Sequence, residues 1–449
     1  AFSQVNFNSF DYATVKESLL EYMKLYHAET FNDMIESSEF IAILELFSYV
    51  AELASYRIDM NAHENFLTTA NRKESILRLA KFISYKPSRN IPSRGLVKIV
   101  SISTTETVFD SAGRNLANVR ILWNDPNNVN WKEHFILIMN RVMEQSFGSV
   151  APNERKQFEN VLFELYSLNN NSLGAKPVFS YTASVANQSY PMELVPSTLS
   201  DNGPEEKRPE ANSKFTILYG SDGLGDSSDM TGFFAFTKQG TIQRIQTTFD
   251  GVTPNTTFDI SVDNINETDI WVNNVDSSTR AILITDPYAT ILPHLTSSDS
   301  RYGEWFEVDI SNAQNIIFNT NKNRKKYEVE TLDNDRVKLI FGDGEFADIP
   351  SGSFDIWYRT SANTDTPIPK TAVQEARSSF AYTDVNSYTQ TFNFSFSLVS
   401  SLQNGSQSED IEHIRSVAPS VYYTQDRMVN GRDYNTFMLR DPSILKMYT

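Results

Sequence analysis

Apolar residues fall at helical spacing through residues 1–84, then mostly at alternating spacing. Tyr12, Val15, Leu19, Tyr22 and Tyr26 mark a first helix, with Asp11 placed to cap its open amides. In the next segment Phe40, Ile43, Leu44, Phe47, Ala51, Ala54 and Ile58 form one stripe, and Leu46, Val50 and Leu53 form a second beside it. So wide an apolar arc predicts burial on more than one side, as in a helical bundle. Ile76, Leu79, Ala80 and Ile83 give a third helix, with Asn71 and Glu74 at the spacing of a capping box. Pro87 and Pro92 end the helical section.

From Gly95 the period changes to two: Val97, Ile99 and Ser101 alternate with Lys98 and Val100. Helical spacing returns at Trp131, Phe135, Ile138 and Val142, and again at Phe158, Val161, Leu162 and Leu165, with Pro152 where the second helix would start. This predicts a helical hairpin inserted at about 129–168, closing at Asn169, Asn170 and Asn171. The polar stretch Ser197–Ser213, with Pro204 and Pro209, predicts a mobile loop. Short runs such as Phe215–Tyr219 and Ile270–Val272, separated by Asn, Asp, Gly and Thr, have the composition of a β-meander. Val337, Leu339 and Phe341 lead into a tight hairpin at Gly342-Asp343-Gly344, and Phe354, Ile356 and Tyr358 then alternate with Asp355, Trp357 and Arg359. No repeat of fixed period is present, which argues against a propeller or solenoid.

The expected architecture is α+β and multi-domain, an N-terminal helical bundle segment followed by β-rich domains with a helical-hairpin insertion. The expected divisions are a helical segment at 1–90, a β-rich domain at 91–300 carrying the insertion, a β-meander domain at 301–400, and a C-terminal segment at 401–449. The last run, Ser443–Thr449, stops as a strand-like pattern begins, which predicts that the natural chain continues.

At 449 residues the chain is long enough for two to four domains, and 40 % hydrophobic content excludes wholesale disorder. The net charge of −17 makes nucleic acid and anionic membrane surfaces poor partners. There is no cysteine, which removes thiol catalysis, Cys-based zinc sites, iron–sulfur clusters and disulfides, and fits assembly in cytoplasm. The most apolar stretch, Phe40–Ala54, is broken by Glu45 and Glu52, so no membrane insertion is expected. Charge is uneven: residues 1–71 hold eleven acidic side chains against Lys16, Lys24 and Arg57, whereas residues 72–98 hold eight basic ones against Glu74 alone. That basic block reads as a solvated face running into a loop or as a docking surface for an acidic subunit. A nucleic-acid contact helped by Phe82 and Tyr85 is the third reading.

Catalytic signatures are missing from the sequence. The five histidines lack ligand spacing, and His63-Glu64 has Leu67 where a zinc-protease helix needs its second histidine. Neither a G-x-S-x-G elbow nor a Walker A loop occurs. Gly220–Asp229 reads as a Gly/Asp surface turn, with calcium held by Asp222, Asp226 and Asp229 as the alternative. No catalytic, cofactor-binding or metal-ligating residue is therefore assigned, and the expectation is an interaction protein, not an enzyme.

Two regions carry a resemblance. Phe341-Gly342-Asp343-Gly344-Glu345-Phe346, Ile349-Pro350-Ser351-Gly352 and Tyr358–Asn363, with Glu409–Arg415, Ala418-Pro419 and Arg427–Tyr434 downstream, resemble the baseplate-J-like family of contractile phage tails. Glu64–Arg72 followed by Tyr85-Lys86-Pro87 is similar to the helical head of the T-even-type wedge protein of that family. The likeness spans about 40–90 and 335–440; residues 100–300 lie outside it, so the helical insertion is expected to be lineage-specific.

The resemblance implies a structural subunit of a virion tail baseplate, assembled in the host cytoplasm, that pairs as a dimer with a third wedge subunit. Its N-terminal helices would join a mixed bundle, and its C-terminal region would link wedges into a ring that passes the firing trigger to the sheath. Implied partners are a second copy of itself, other baseplate wedge subunits, and sheath-initiating and hub-proximal tail proteins. By motif, residues 36–83 would be bundle helices, 335–360 the hairpin and strand of a central β domain, and 409–434 the approach to a ring arm lying beyond Thr449. Candidate partner-binding residues are Phe40, Ile43, Phe47, Val50 and Ala54 on the helix stripe, with Arg72, Lys73, Arg78 and Lys81 in the basic block. The alternative, compatible with an acidic, aromatic, β-rich chain, is a tail-associated glycan-cleaving or receptor-binding protein.

Overall fold

The computed structural model describes residues 11–26, 39–83, 85–147, 162–166, 179–200, 203–209, 214–283, 303–308 and 324–424. The fold is mixed α+β, with helices first and a β-rich region after them. Two compact units are present: a helical one, mainly residues 1–87 and 410–437, and a β unit, mainly 88–311 and 315–409.

In the helical unit, α1 (Tyr12–Tyr26) opens as expected, with Asp11 Oδ1 accepting the Thr14 amide at 2.9 Å. It lies against α2 (Glu39–Glu64), where Lys16 Nζ reaches Glu45 Oε1 at 2.6 Å. The half-buried side of α1 carries Val15, Leu19, Leu20 and Met23, while Tyr22 and Tyr26 are exposed, their tilted rings 4.8 Å apart, so the expected stripe is rotated. The predicted capping box does not form. Helix α3 (Lys73–Phe82) begins after Arg72, and the carboxylate of Glu64 accepts the Asn71 and Arg72 amides at 3.1 and 3.3 Å. The turn after α2 returns the chain beneath Glu64, whose charged oxygens take the Asn71 amide that Glu74 was expected to serve.

Helix α5 (Ile411–Thr424) packs onto α3. Ile414 and Ala418 join Ala70, Ile76, Leu77, Ala80 and Tyr85 in a small core. Arg415 donates from Nε to the Leu67 carbonyl at 3.1 Å and from Nη2 to the Ala70 carbonyl at 2.7 Å, satisfying acceptors left open at the turn. The structure thus groups the segment up to Thr424 with the N-terminal helices; residues 425–434 of the downstream motif lie outside the described residues.

The β unit begins and ends at one place: the Glu409 amide donates to the Ser88 carbonyl at 3.1 Å, and Ile91 bridges Ser406. Its strands, in chain order, open with β1 (Arg94–Thr104), β2 (Ile121–Leu122), β3 (Leu162–Tyr166), β4 (Phe179–Val185), β5 (Gln188–Leu194), β6 (Ser197–Ser200), β7 (Gly203–Glu206), β8 (Lys214–Gly220) and β9 (Gly232–Gln239). They continue with β10 (Thr241–Asp250), β11 (Thr257–Ile260), β12 (Ile265–Asn274), β13 (Glu304–Glu307), β14 (Lys326–Thr331), β15 (Val337–Phe341), β16 (Ser351–Thr360), β17 (Ala376–Thr383) and β18 (Thr389–Leu398).

The first sheet runs β17-β18-β1-β9-β5-β4, with β2 added on β1 and β8 and β3 branching from β9. It curls like a barrel, bringing Phe179 and Tyr181 of β4 edge-on to Phe394 and Phe396 of β18. Helix α4 (Trp131–Phe147), the first half of the expected hairpin, fills this core with Phe135, Ile138, Met139 and Val142. The second half is a correction. Leu162 and Leu165 lie in β3, antiparallel to β8 in the register Leu162↔Leu218 and Tyr166↔Lys214. Leu162-Phe163-Glu164-Leu165-Tyr166 satisfies either period, and the open side of β8 supplies the backbone partners that decide it. Pro152, Phe158, Val161 and Asn169–Asn171 lie outside the described residues.

The second sheet runs β10-β16-β12-β13-β14-β15-β11. Its core is aromatic: Phe249 meets Phe354 at 5.1 Å, and Trp305 meets Phe341 at 5.5 Å. The chain turns at Gly342-Asp343-Gly344, with Asp343 Oδ1 accepting the Glu345 and Phe346 amides and a Cβ on Gly342 only 2.4 Å from the Ala347 carbonyl oxygen. The expected hairpin, however, is a correction: β15 pairs with β14 and β11, and β16 with β10 and β12, so the two strands flanking the turn find distant partners instead of each other. The two sheets share a strand path, since β9 passes into β10 through Gly240 alone. Gly240 has φ +111°, and a Cβ there would lie 2.5 Å from the Thr360 carbonyl oxygen, so only glycine fits the crossing.

The loop expected at Ser197–Ser213 is also a correction. β6 and β7 form a hairpin, and Glu206 and Arg208 reach into the protein instead of into solvent. Buried cations supply the partners that solvent would otherwise provide, which polar composition alone does not reveal.

Candidate functional site

Helix α2 carries a wide apolar arc, but the side that is covered is a narrow one on which Glu45, Ser48, Glu52, Ser55 and Asp59 also lie. Ile41, Leu44 and Ser48 are buried, and Glu45 beside them holds Lys16 of α1. Ile43, Leu46, Phe47, Val50 and Leu53 are exposed, Phe47 and Leu46 by 62 % each. On a wheel of 3.6 residues per turn, the exposed set is opposite the face turned to α1.

The exposed set has an internal order. Ile43, Leu46, Val50 and Leu53 are spaced by three, four and three residues, the a and d positions of two heptads. Leu44, Glu45 and Ser48 then take the b, c and f positions that face α1. The flanking e and g positions are Phe47, Tyr49, Ala54 and Tyr56, which are themselves exposed. A contiguous apolar strip of this kind on an exposed helix face marks an interaction face.

Of the sequence candidates, Ile43, Phe47, Val50 and Ala54 lie on this outer face, and Phe40 is half-buried at its start. Leu46 and Leu53 complete the seam; they were visible as the second stripe but were not counted among the partner-binding residues. The basic block is divided between the two units. Arg72, Arg78 and Lys81 are exposed on or beside α3, with Arg78 paired to Glu74 at 3.2 Å, and Lys73 is half-buried. Arg89 and Lys98 belong to the β unit. Arg89 is fully buried, donating to Thr331 Oγ1 at 3.1 Å and the Glu267 carbonyl at 3.0 Å. Lys98 donates to the Ser228 carbonyl at 2.8 Å, and burial lowers its pKa. Arg89 and Lys98 are thus engaged inside the β unit and do not contribute to an exposed basic surface.

The Gly220–Asp229 segment is the surface turn expected of it. Gly223 and Gly225 take positive φ, and Asp222 accepts from Leu224 N, Thr231 Oγ1 and the Ser228 hydroxyl. Those hydrogen bonds, the Ser228 hydroxyl first, hold the Asp222 carboxyl below its usual range. Asp226 turns to Lys132 at 3.1 Å and Asp229 to Lys370 at 2.7 Å, so the three carboxylates diverge. His134 is engaged at both ring nitrogens, with Nε2 3.0 Å from Asp110 and Nδ1 3.2 Å from the Asn128 amide, which suits a structural histidine. No helix among the described residues is long and apolar enough to cross a membrane.

Residues 95–401, which include nearly all of the β unit, match the family described as domain of unknown function DUF8360. The chain belongs to that family. In this DUF8360 member, residues 11–82 match the N-terminal domain of bacteriophage baseplate proteins. That second match covers α1, α2 and α3, the elements bearing the exposed seam, and points to a structural protein of the phage tail baseplate. No match is found among curated proteins.

Proposed function

We propose that this DUF8360 member is a non-catalytic structural subunit of a contractile-tail baseplate wedge. It pairs with a second copy of itself through α2 and takes another wedge subunit into the same bundle. Linkage of wedges around the hub, and passage of the contraction trigger to the sheath, belong to the same proposal. So do sheath-initiating and hub-proximal partners and assembly in the host cytoplasm.

The observation that carries this reading is the uncovered heptad seam of α2 inside the segment that matches baseplate proteins. Ile43 and Val50 at a, with Leu46 and Leu53 at d, is the arrangement that favours two strands. Two heptads are short for a free-standing coiled coil. The α1–α2 pair supplies the missing bulk, because two such pairs placed seam to seam make a four-helix bundle.

The test is Val50→Asp, with Phe47→Asp as a second variant, in sedimentation of the chain alone and mixed with the other wedge proteins of its tail. Both side chains are exposed, so helix content should stay at the wild-type level while self-association and wedge assembly are lost. Wild-type assembly by both variants would defeat the proposal.

A further inference from the structure

Five ionisable side chains meet inside the β unit where the two sheets join. Arg359 of β16 donates from Nη1 and Nη2 to the two oxygens of Glu206, each at 2.8 Å, from Nη1 to Asp269 at 3.1 Å, and from Nε to Glu193 at 3.2 Å. Lys238 of β9 donates to Glu206 at 2.7 Å and to Asp269 at 2.5 Å. Glu193 also accepts the Ile242 amide with both oxygens, and Asn266 and Thr268 reach Asp269. All five ionic side chains are almost sealed from water.

Four of them belong to the sheets: Glu193 and Lys238 to the first, Asp269 and Arg359 to the second. Their charges cancel. Glu206 is delivered from outside by the β6–β7 hairpin, whose strands pair with each other and with no other strand among the described residues. Its arrival sets three carboxylates against two cations in a setting where an unbalanced charge is costly.

We propose that the β6–β7 hairpin, with the strap Glu206–Pro209, is a proton-dependent clasp across the joint between the sheets, closed when the cluster binds one proton and loosened when it releases it. Burial pushes the Glu193 carboxyl above its ordinary range. Arg359 and the Ile242 amide pull it down, and Glu206 adds to the rise. Asp269, although desolvated, is held far below its ordinary value by Lys238 and Arg359. Groups facing Glu193 from the packed elements are Arg359, Glu206, Lys238 and Asp269.

The rest of the strap, Lys207-Arg208-Pro209, contains no carboxylate. Lys207 N donates to the Pro196 carbonyl at 2.8 Å, Arg208 to the Val272 and Trp305 carbonyls at 3.1 Å each, and Asn273 Nδ2 to the Pro209 carbonyl at 2.8 Å. Arg208 also lies over the Phe306 ring and 3.9 Å from Glu304. What responds to pH is therefore the Glu206 end. Because the closed state holds the extra proton, closure is favoured at low pH and weakens as pH rises from the ordinary glutamate value of 4.5 through the raised Glu193 value.

The experiment is hydrogen–deuterium exchange of the full chain, followed in peptides covering 203–209, from about pH 5.5 to about pH 8.5 and corrected for intrinsic rates. Protection in the wild type should fall with pH, by up to about tenfold per unit. Glu193→Gln, which removes the excess charge, should show protection independent of pH, and so should Glu206→Gln. A flat wild-type profile, or a wild-type slope retained in the variants, overturns the proposal. Unchanged protection in β9 and β16 certifies that each variant is folded. If Glu193→Gln fails that check, Glu206→Gln decides, because it leaves the four sheet-borne charges balanced.

Discussion

Glu206 and Arg359 meet end-on, one carboxylate on the two terminal nitrogens of one guanidinium through two hydrogen bonds of 2.8 Å, 153 positions apart in the chain. That geometry is the strong form of an ion pair, since both donors of the planar fork are used at once. It turns a stretch that reads as polar surface into part of the interior. The same guanidinium also serves Glu193 and Asp269, so its loss would be felt by three carboxylates together.

Replacing Arg359 with Leu would leave Lys238 as the one cation among those three buried acids. The β unit should lose about 3–5 kcal/mol, the usual cost of stranding a buried charge. Urea unfolding followed by the fluorescence of the buried Trp305 and Trp357 would measure it. A loss below about 1 kcal/mol, typical of exposed pairs, would show that the cluster is wetter than its burial indicates.

Gly240→Ala should destabilise the same unit by about 1–3 kcal/mol, through the strain of a side chain at φ +111° and its collision with the Thr360 carbonyl. Gly113→Ala is the control, with φ +79° but open space around its Cβ, and should cost less. Equal losses in thermal melts of the two variants would remove the argument for a close crossing.

In the helical unit, Arg415→Ala deletes charged donors to the Leu67 and Ala70 carbonyls. The expected loss is about 1.5–3 kcal/mol. It should appear as faster hydrogen exchange in α5 and α3, with the β-unit strands unchanged.

Asp110 provides a pH prediction. Desolvation opposes its charge, but the Arg114 amide and guanidinium, both at 2.7 Å, and His134 outweigh it and hold the carboxyl down to about 2. A depressed native value stabilises above the unfolded value of 3.8 and loses its effect as pH falls toward about 2. Wild type should therefore outlast Asp110→Asn in urea at pH 5, and the gap should close across that acid window. A gap that stays constant would mean that the carboxylate's charge is not what stabilises the site.

The parts of this fold that could be read from the sequence are those where one element buries one face. α2, α3, α4, β1 and the Gly342 turn all announce themselves through period or turn chemistry. The failures share a cause, a partner distant in the chain. Glu64 displaced Glu74 as the acceptor of the Asn71 amide, β8 drew Leu162–Tyr166 into a strand, and the Arg359 cluster drew Glu206 inward. Asp355, Trp357 and Arg359 alternate with an apolar set, the usual mark of a half-buried strand, yet all three are buried, Asp355 against Arg244 and Arg280. For the candidate site, both stripes of α2 were legible. Which one faces α1 was not, because Leu44 and Leu46 are equally apolar and only the packing of α1 distinguishes them.

The closure of the β unit at Ser88 and Glu409 has a consequence for its history. A segment whose two ends are joined by a hydrogen bond can be gained, lost or exchanged in a single event, since the chain resumes where it left off and no neighbouring element has to be rerouted. The boundaries of the DUF8360 match, 95 and 401, fall just inside that closure. This is the topology of a cassette.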